Sequence, residues 1–430
     1  MEPLSFKGRR GSGVAGNRSA YADARLRPRW DWEKYEYSHR VWGRLLYNAD
    51  SDPDPWRRYL RKHFGQGAGD LESALASASR ILPTLTTAHL PSAANNNYWP
   101  EMYVNQSLID AAHPGSYSDT PAPKVFGNVS PLDPQMFSRV NDFADELLIG
   151  DPGGRYSPLE VARWLDEFAD AALKHLAEAA GRVTGKQEPD YLRFQADISI
   201  QAGLGRFFAG KLRSGILYRL FEKTGEAAAL DAALGQYRAA RAAWADFSER
   251  ARGIYVDDVT IGELPQLRGH WLDRLPAIDR DINLVAEKLA AVKYSPSPAS
   301  VDAIIREVLA GGEPREVLTY RHAPPTLVPG KPLEIALILD RPVASVNLYY
   351  RHVNQAERFK SSAMQGRDGR YQATIPGPYT DSAYPLQYYF QVKTSAGRTQ
   401  ICPGFSKGLT TQPYIVIRSR AASVPMLHTG

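Results

Sequence analysis

The chain has 430 residues, 43% of them hydrophobic and 23% charged, with a net charge of +5. That balance supplies apolar surface for real cores in two or three domains and excludes a wholly disordered chain. No uninterrupted apolar run reaches the roughly 18 residues of a membrane span, and the charged start Met1–Gly13 has no apolar stretch behind it to make a signal peptide. A leader ahead of Met1 would instead direct the chain to the periplasm or beyond.

Cys402 is the single cysteine, so an intramolecular disulfide and a cysteine-based metal cluster are both ruled out. The nine histidines are scattered, none at the i, i+4 spacing of a helical metal pair. No metal or cofactor is expected. The charge is local: residues 1–30 hold seven cations, from Lys7 to Arg29, against Glu2 and Asp23, and the rest of the chain sums to zero. Such a basic, glycine-rich arm can hold phosphates. The alternative is an end without apolar partners of its own, which predicts that residues 1–30 pack poorly. Nucleic acid is not the expected partner.

A helix is predicted from Asp31, with Trp32, Tyr35, His39, Trp42 and Leu46 in one apolar stripe. Asp52-Pro53-Asp54-Pro55 turns into a second helix that stops at Gly65, and a third runs from Asp70 to about Ala88. Periodicity then vanishes from Leu90 to Pro134. It returns at about 133–149 and again behind Ser157-Pro158, an N-cap followed by a first-turn proline. Long helices follow at about 190–223 and 226–252, with shorter ones at about 276–292 and 299–310. After Gly311-Gly312 the pattern becomes short alternating runs, LEIALIL, SVNLYYRHV, RYQATIP and PLQYYFQVKT, separated by turns. Seven or eight strands in about 100 residues read as an immunoglobulin- or fibronectin-like β-sandwich. The expected fold is therefore α+β and multidomain: a basic arm over 1–30, a helical domain over 31–312 carrying loop 90–134, and a sandwich over 313–420.

Two motifs dissolve in their context. Gly11, Gly13 and Gly16 match G-x-G-x-x-G without the buried strand and following helix that a dinucleotide needs. Ser406 lies in G-x-S-x-G between strand-like segments, whereas a nucleophilic serine belongs on a strand-to-helix turn. Asp257, Asp258 and Glu263 lack the spacing of a calcium loop and read as a solvated turn. Tyr349-Tyr350 and Tyr388-Tyr389 are adjacent pairs, so one tyrosine of each faces outward, where it either meets a glycan or covers an edge strand.

The loop around Glu101 is the most informative stretch. Tyr98, Trp99 and Tyr103 offer stacking faces, Asn95 and Asn97 offer donors and acceptors, and His89 lies just upstream. That mixture suits an oligo- or polysaccharide, whose C–H faces stack while its hydroxyls hydrogen-bond. Glu101 is the candidate catalytic carboxylate; a glycosidase needs a second one about 5–10 Å away, and Asp110 and Asp119 are available in sequence. The alternative is a loop that caps the helical core with its aromatic rings.

The stretch Arg40-Val-Trp-Gly-Arg-Leu-Leu-Tyr-Asn48, with Asp52-Pro53, Trp56, Tyr59-Leu60 and Phe64-Gly65, resembles a segment of α-glucuronidase-like and hexosaminidase-like glycoside hydrolases. There it follows the last strand of a (β/α)₈ barrel and leads into a helical domain with text like TTAHLPSAANNNYWPEM. Ala49 and Asp50 stand where that pattern usually has Pro and Asp, so Ala49 departs from it. The resemblance covers about residues 35–110; the YYRHVNQAERF and YPLQYYF text is similar to terminal sandwich domains of large bacterial enzymes. It implies a catalytic barrel upstream, and hence an accessory region of a carbohydrate-degrading enzyme without catalysis of its own. No family catalytic residue transfers to this chain. Two other readings stand beside it: a polyanion- or partner-binding scaffold, and a complete glycosidase centred on Glu101.

Overall fold

The computed structural model describes residues 18–90, 106–110, 125–150, 153–259, 268–294 and 296–419. The fold is α+β, with helices first and antiparallel sheets after. The chain divides into two compact units. One comprises residues 1–134, 138–145 and 157–312; the other comprises 135–137, 146–156 and 313–430.

The helical unit begins with α1 (Asp31–Lys34) and α2 (Glu36–Tyr47), separated by a break at Tyr35 where a single helix was expected. Next come α3 (Asp54–Phe64), α4 (Ala68–Ala78) and α5 (Ile81–Ala88). The helix expected from Asp70 thus starts two residues earlier and splits at Ser79-Arg80. α6 (Val140–Ile149) precedes α7 (Pro158–Arg182), which opens on a reciprocal capping box: Ser157 Oγ accepts from Glu160 N while Glu160 accepts from Ser157 N. The centre of the unit is α8 (Pro189–Thr224), a 36-residue helix with buried residues on every face, as a helix surrounded by others must have. It is flanked by α9 (Ala227–Ala251), with α10 (Leu275–Ala291) and α11 (Ala299–Leu309) beyond. α8 and α9 approach closely because glycines face the contact: a Cβ on Gly203 would lie 2.5 Å from Phe247, and one on Gly210 would lie 2.9 Å from the Ala240 methyl. Phe207, Trp244 and Phe247 fill the seam, and Trp244 Nε1 donates to the Trp271 carbonyl at 2.8 Å. A second cluster, from Leu60, Phe64, Leu71, Leu176 and Ile198, joins α3, α4, α7 and α8.

The start of the chain differs from expectation. Ala20, Tyr21 and Leu26 are buried, Tyr21 stacks on Tyr255 with ring centroids 5.1 Å apart, and Val256 N donates to the Ala20 carbonyl. Three apolar side chains suffice to dock residues 18–26, even among arginines. Residues 1–17, with the G-x-G-x-x-G match, lie outside the described residues.

The other unit is a sandwich of two antiparallel sheets. Its strands are β1 (Tyr320–Arg321), β2 (Leu333–Leu339), β3 (Ser345–His352), β4 (Lys360–Ala363), β5 (Gln365–Arg367), β6 (Arg370–Ile375), β7 (Leu386–Lys393), β8 (Thr399–Cys402) and β9 (Ile415–Ile417). One sheet runs β1-β2-β6-β5, the other β4-β3-β7-β8, with β9 also paired to β7. Period-2 alternation turns Leu333, Ile335, Leu337 and Leu339 inward against Val346, Leu348, Tyr388, Phe390 and Val392. His322 satisfies the fully buried Tyr388 phenol: it meets the Ala336 carbonyl at 2.6 Å and Tyr388 Oη at 2.7 Å. Ser406 sits in the loop between β8 and β9, hydrogen-bonded to Thr410 and Thr411.

The tyrosine pairs split as alternation demands, Tyr350 and Tyr388 inward, Tyr349 and Tyr389 outward and stacked at 5.0 Å. Tyr389 is nevertheless buried, which removes it from the expected open glycan face. Phe359 packs edge-on against it, and Phe359 N donates to Gln135 Oε1 at 2.5 Å. Tyr156 likewise stacks near Phe405 and under Arg315, whose guanidinium donates to the Gly154 and Arg155 carbonyls.

Candidate functional site

Both ends of the long loop are tied to the helical unit. Leu90 N donates to the Ser130 carbonyl and Leu132 N to that of Thr87, each at 2.9 Å. Between them, residues 106–110 pass through the helical core. Lys211 of α8, fully buried, donates from Nζ to the Gln106 carbonyl at 2.8 Å. Its ammonium lies 4.9 Å from the Phe126 ring centre and 5.2 Å from that of Tyr237 on α9, the geometry of a cation–π contact. Asp281 of α10, also buried, accepts from Ser107 Oγ, from Leu108 N at 3.2 Å and from Tyr237 Oη at 2.7 Å. Ser107 Oγ in turn accepts from Ile109 N and Asp110 N, closing a tight turn.

Burial sets the electrostatics. It pushes the Lys211 ammonium down to about 7, against the attraction of Asp281, which raises it. Burial also drives His89 down to about 3, and the Lys211 charge lowers it further against the bond to Phe126. His89 is therefore neutral at ordinary pH; it stacks on Phe126 at 4.2 Å and donates from Nε2 to the Phe126 carbonyl at 3.2 Å. Its Nδ1 and the Oε1 of Gln106 are buried and have no hydrogen-bond partner among the described residues. Chemically this is an anchor. A lysine buried to this degree and bonded to backbone cannot reach a substrate, whereas it can hold a loop in register.

Of the predicted site residues, His89 lies in this buried cluster. Asn95, Asn97, Tyr98, Trp99, Glu101 and Tyr103 lie outside the described residues, as does Asp119. Asp110 follows the anchored turn. Asp258 braces its own loop, accepting from Arg268 and Gly269 N, while Glu263 lies outside the described residues. Sequence reasoning passed over Lys211 and Asp281, although a signal existed. Lys211 interrupts the apolar run FFAGKL of a helix buried all round, and Asp281 shares a face with Ile278, Ile282 and Val285.

A second feature is the stripe on α1 and α2. The spacing marks an apolar face, and an apolar face ordinarily meets a core. Here α2 has no buried residue; Trp42 is 64% exposed, Leu46 75% and Tyr47 94%, with Trp30, Trp32 and Leu45 exposed beside them. The side of α2 that does touch the unit does so through Tyr37, which packs against the cluster of Leu60 and Phe64 and donates from Oη to Glu72, and through Arg40 over the Tyr59 ring.

No helix among the described residues is long and apolar enough to cross a membrane. No family profile matches the chain, and no curated protein matches it. Among solved structures it is similar to a chain described as a "GH138 enzyme targeting pectin rhamnogalacturonan II", with 14% identity and a TM-score of 0.48. The match covers 59% of this chain and 37% of that one, so the present chain corresponds to little more than a third of its neighbour's length. A likeness at that level carries no argument about activity.

Proposed function

We propose that this chain is an accessory region of a carbohydrate-degrading enzyme, contributing glycan contacts through loop 90–134 without catalysing hydrolysis itself. In this reading a (β/α)₈ barrel packs on the exposed face of α1–α2. The observation that supports it is the uncovered stripe. Trp32, Trp42, Leu45, Leu46 and Tyr47 together present more aromatic and aliphatic surface than a helix ordinarily leaves in water, and the last four fall within the segment that resembles the passage out of such a barrel. Two tests belong together. The chain alone should bind oligosaccharides and release no reducing sugar. A barrel domain encoded beside it should bind the chain, and the double variant Trp42→Asp, Leu46→Asp should weaken that affinity at least about 100-fold, as loss of two central apolar anchors does. Product release by the chain alone, or unchanged barrel affinity in the variant, overturns the reading.

One observation favours the polyanion-binding alternative. A cleft of about 510 Å³ is lined by Arg29, Lys62 and Arg193, opposed by Glu33, Glu188 and Asp190. Arg193 pairs with Asp190, while Lys62 has no carboxylate partner among the described residues. Ionic strength separates the two in the same binding measurement, because counterion release makes polyanion affinity fall steeply with salt and leaves a neutral sugar nearly unaffected.

A further inference from the structure

Among the described residues, one group of metal-ligating side chains comes together from two helices: Asp70 of α4 with His175 and Glu178 of α7. One donor atom from each lies within 4.8 Å of the others, and His175 Nδ1 stands 3.0 Å from Glu178 Oε2. The fold brings them together in two steps. Helical period sets His175 and Glu178 on one face, a turn apart. Close packing then delivers Asp70, which lies in the first turn of α4. Ala68, Leu71 and Ala74 share a buried cluster with Ala172, Leu176 and Ala179, and a Cβ on Gly67 would lie 2.5 Å from Val183 Cγ2. Small residues along that seam keep the two helices near enough for a short aspartate side chain to reach across.

We propose that Asp70, His175 and Glu178 bind a divalent transition-metal ion of the zinc class, which staples α4 to α7. The imidazole separates this group from an ordinary acidic patch. One ring nitrogen with two carboxylates suits zinc, cobalt or nickel, whereas calcium and magnesium prefer shells made wholly of oxygen. Donors that share one zinc at about 2.0–2.2 Å stand about 3.3 Å apart. The His175–Glu178 pair is already at that spacing, and the widest pair has at most about 1.5 Å to close, within reach of side-chain rotation.

The neighbours of the three donors support this assignment. Arg182, one turn beyond Glu178 on α7, donates to Asp70 Oδ2 at 3.1 Å. It holds the carboxylate from behind, as outer partners of metal ligands do. Asp70 Oδ1 and Glu178 Oε1 have no hydrogen-bond partner among the described residues. His175 ligates as the neutral ring through Nδ1, with its remaining proton on Nε2. Three protein donors leave the fourth position of a tetrahedral ion to water. The His-x-x-Glu interval also matches the i, i+3 spacing at which one helix of a bundle offers an imidazole and a carboxylate to a metal. The group escapes the i, i+4 histidine pattern because its other two donors are carboxylates, one of them on another helix.

The test takes the full chain, stripped with a chelator, and titrates it with Zn²⁺ in a calorimeter. One equivalent should bind. His175→Gln and Asp70→Asn should each weaken that binding at least about tenfold, the loss that follows even when an outer partner of a ligand is removed. Both side chains are partly exposed, and the asparagine can still accept from Arg182, so each variant should melt like the wild type in the absence of metal. A second measurement needs no variant: X-ray absorption at the zinc edge of the wild-type 1:1 complex should show one imidazole among oxygen donors. Binding that survives both substitutions is adventitious and overturns the site; so does a shell with two or more imidazoles, or no binding at all. The site plays no part in the glycan reading, and oligosaccharide affinity is measured separately, so either can fail without the other.

Discussion

Among individual residues, His89 shows how far burial can pull a side chain from the role its neighbourhood suggests. In sequence it stands beside an aromatic, amide-rich stretch and reads as a sugar contact. In the structure it is a neutral ring wedged on Phe126, kept neutral by desolvation and by the nearby Lys211. Its basicity is depressed by folding, so between pH 6.5 and about 3 the unfolded chain binds a proton that the folded chain does not. By linkage this makes stability rise with pH across that window, which means it is lost on acidification and is fully present above pH 6.5. Wild type and His89→Gln should therefore diverge. Between pH 7.5 and 4.5, urea unfolding should show the wild type losing about 2–3 kcal/mol more than the variant. Equal losses would mean that His89 is reached by solvent in the native protein.

Whole elements show which signals a linear sequence carries. The start of α7 was legible from Ser157 and Pro158, which act on their own backbone within one turn, and the structure adds Glu160 as the other half of the capping box. So were β2, β3, β6 and β7, whose alternation states which side chains share a face. What alternation and helical period leave out is the identity of the cover. The stripe of α2 was correctly placed on one face, yet that face meets solvent. Alternation requires one tyrosine of each adjacent pair to face outward without saying which; Tyr389 does, yet it is buried, with Phe359 edge-on against it and Gln135 fixing Phe359. The same limit bears on the expectation that the sandwich folds alone from about Glu313 to Ile417. Its two sheets share a closed core from their own strands, so an excised piece should still unfold cooperatively. It would lack Gln135, Gly154, Arg155 and Tyr156, and with them the acceptors of Phe359 N and Arg315 and the ring beside Phe405. The piece should therefore melt several degrees below a version in which residues 135–156 are supplied by fusion, since each kcal/mol lost shifts the midpoint of a domain this size by about 4–8 °C. Coincident melting curves would show that this cover adds nothing, and absence of any transition would move the boundary.

For the molecule as a whole, three candidates compete for a ligand: the apolar stripe, the cation-lined cleft and the sequence from Leu90 to Pro134. Their chemistry separates them. The stripe is aromatic and aliphatic with few acceptors, which suits a protein face; the cleft alternates cations and carboxylates; the loop combines Tyr98, Trp99 and Tyr103 with Asn95, Asn96, Asn97 and Asn105, and Lys124 is its only cation. A composition of rings and amides with almost no positive charge fits a neutral or mildly acidic sugar better than a phosphate. Its length points the same way, because connections between helices need only a few residues, and about 45 without periodicity persist more often for binding than for packing. The described part adds that this loop is held at its middle by buried charge, a costly arrangement for a mere linker. Trp99→Ala should then weaken oligosaccharide binding by about 1–3 kcal/mol, the loss of one stacking face. Glu101→Gln separates the remaining roles: in a binding loop it changes affinity little, and in an active site it abolishes turnover while affinity survives. Calorimetry on variants that keep the wild-type melting behaviour reads both effects. Unchanged binding in Trp99→Ala would assign the aromatic rings to the helical core and leave the cleft as the surface to pursue.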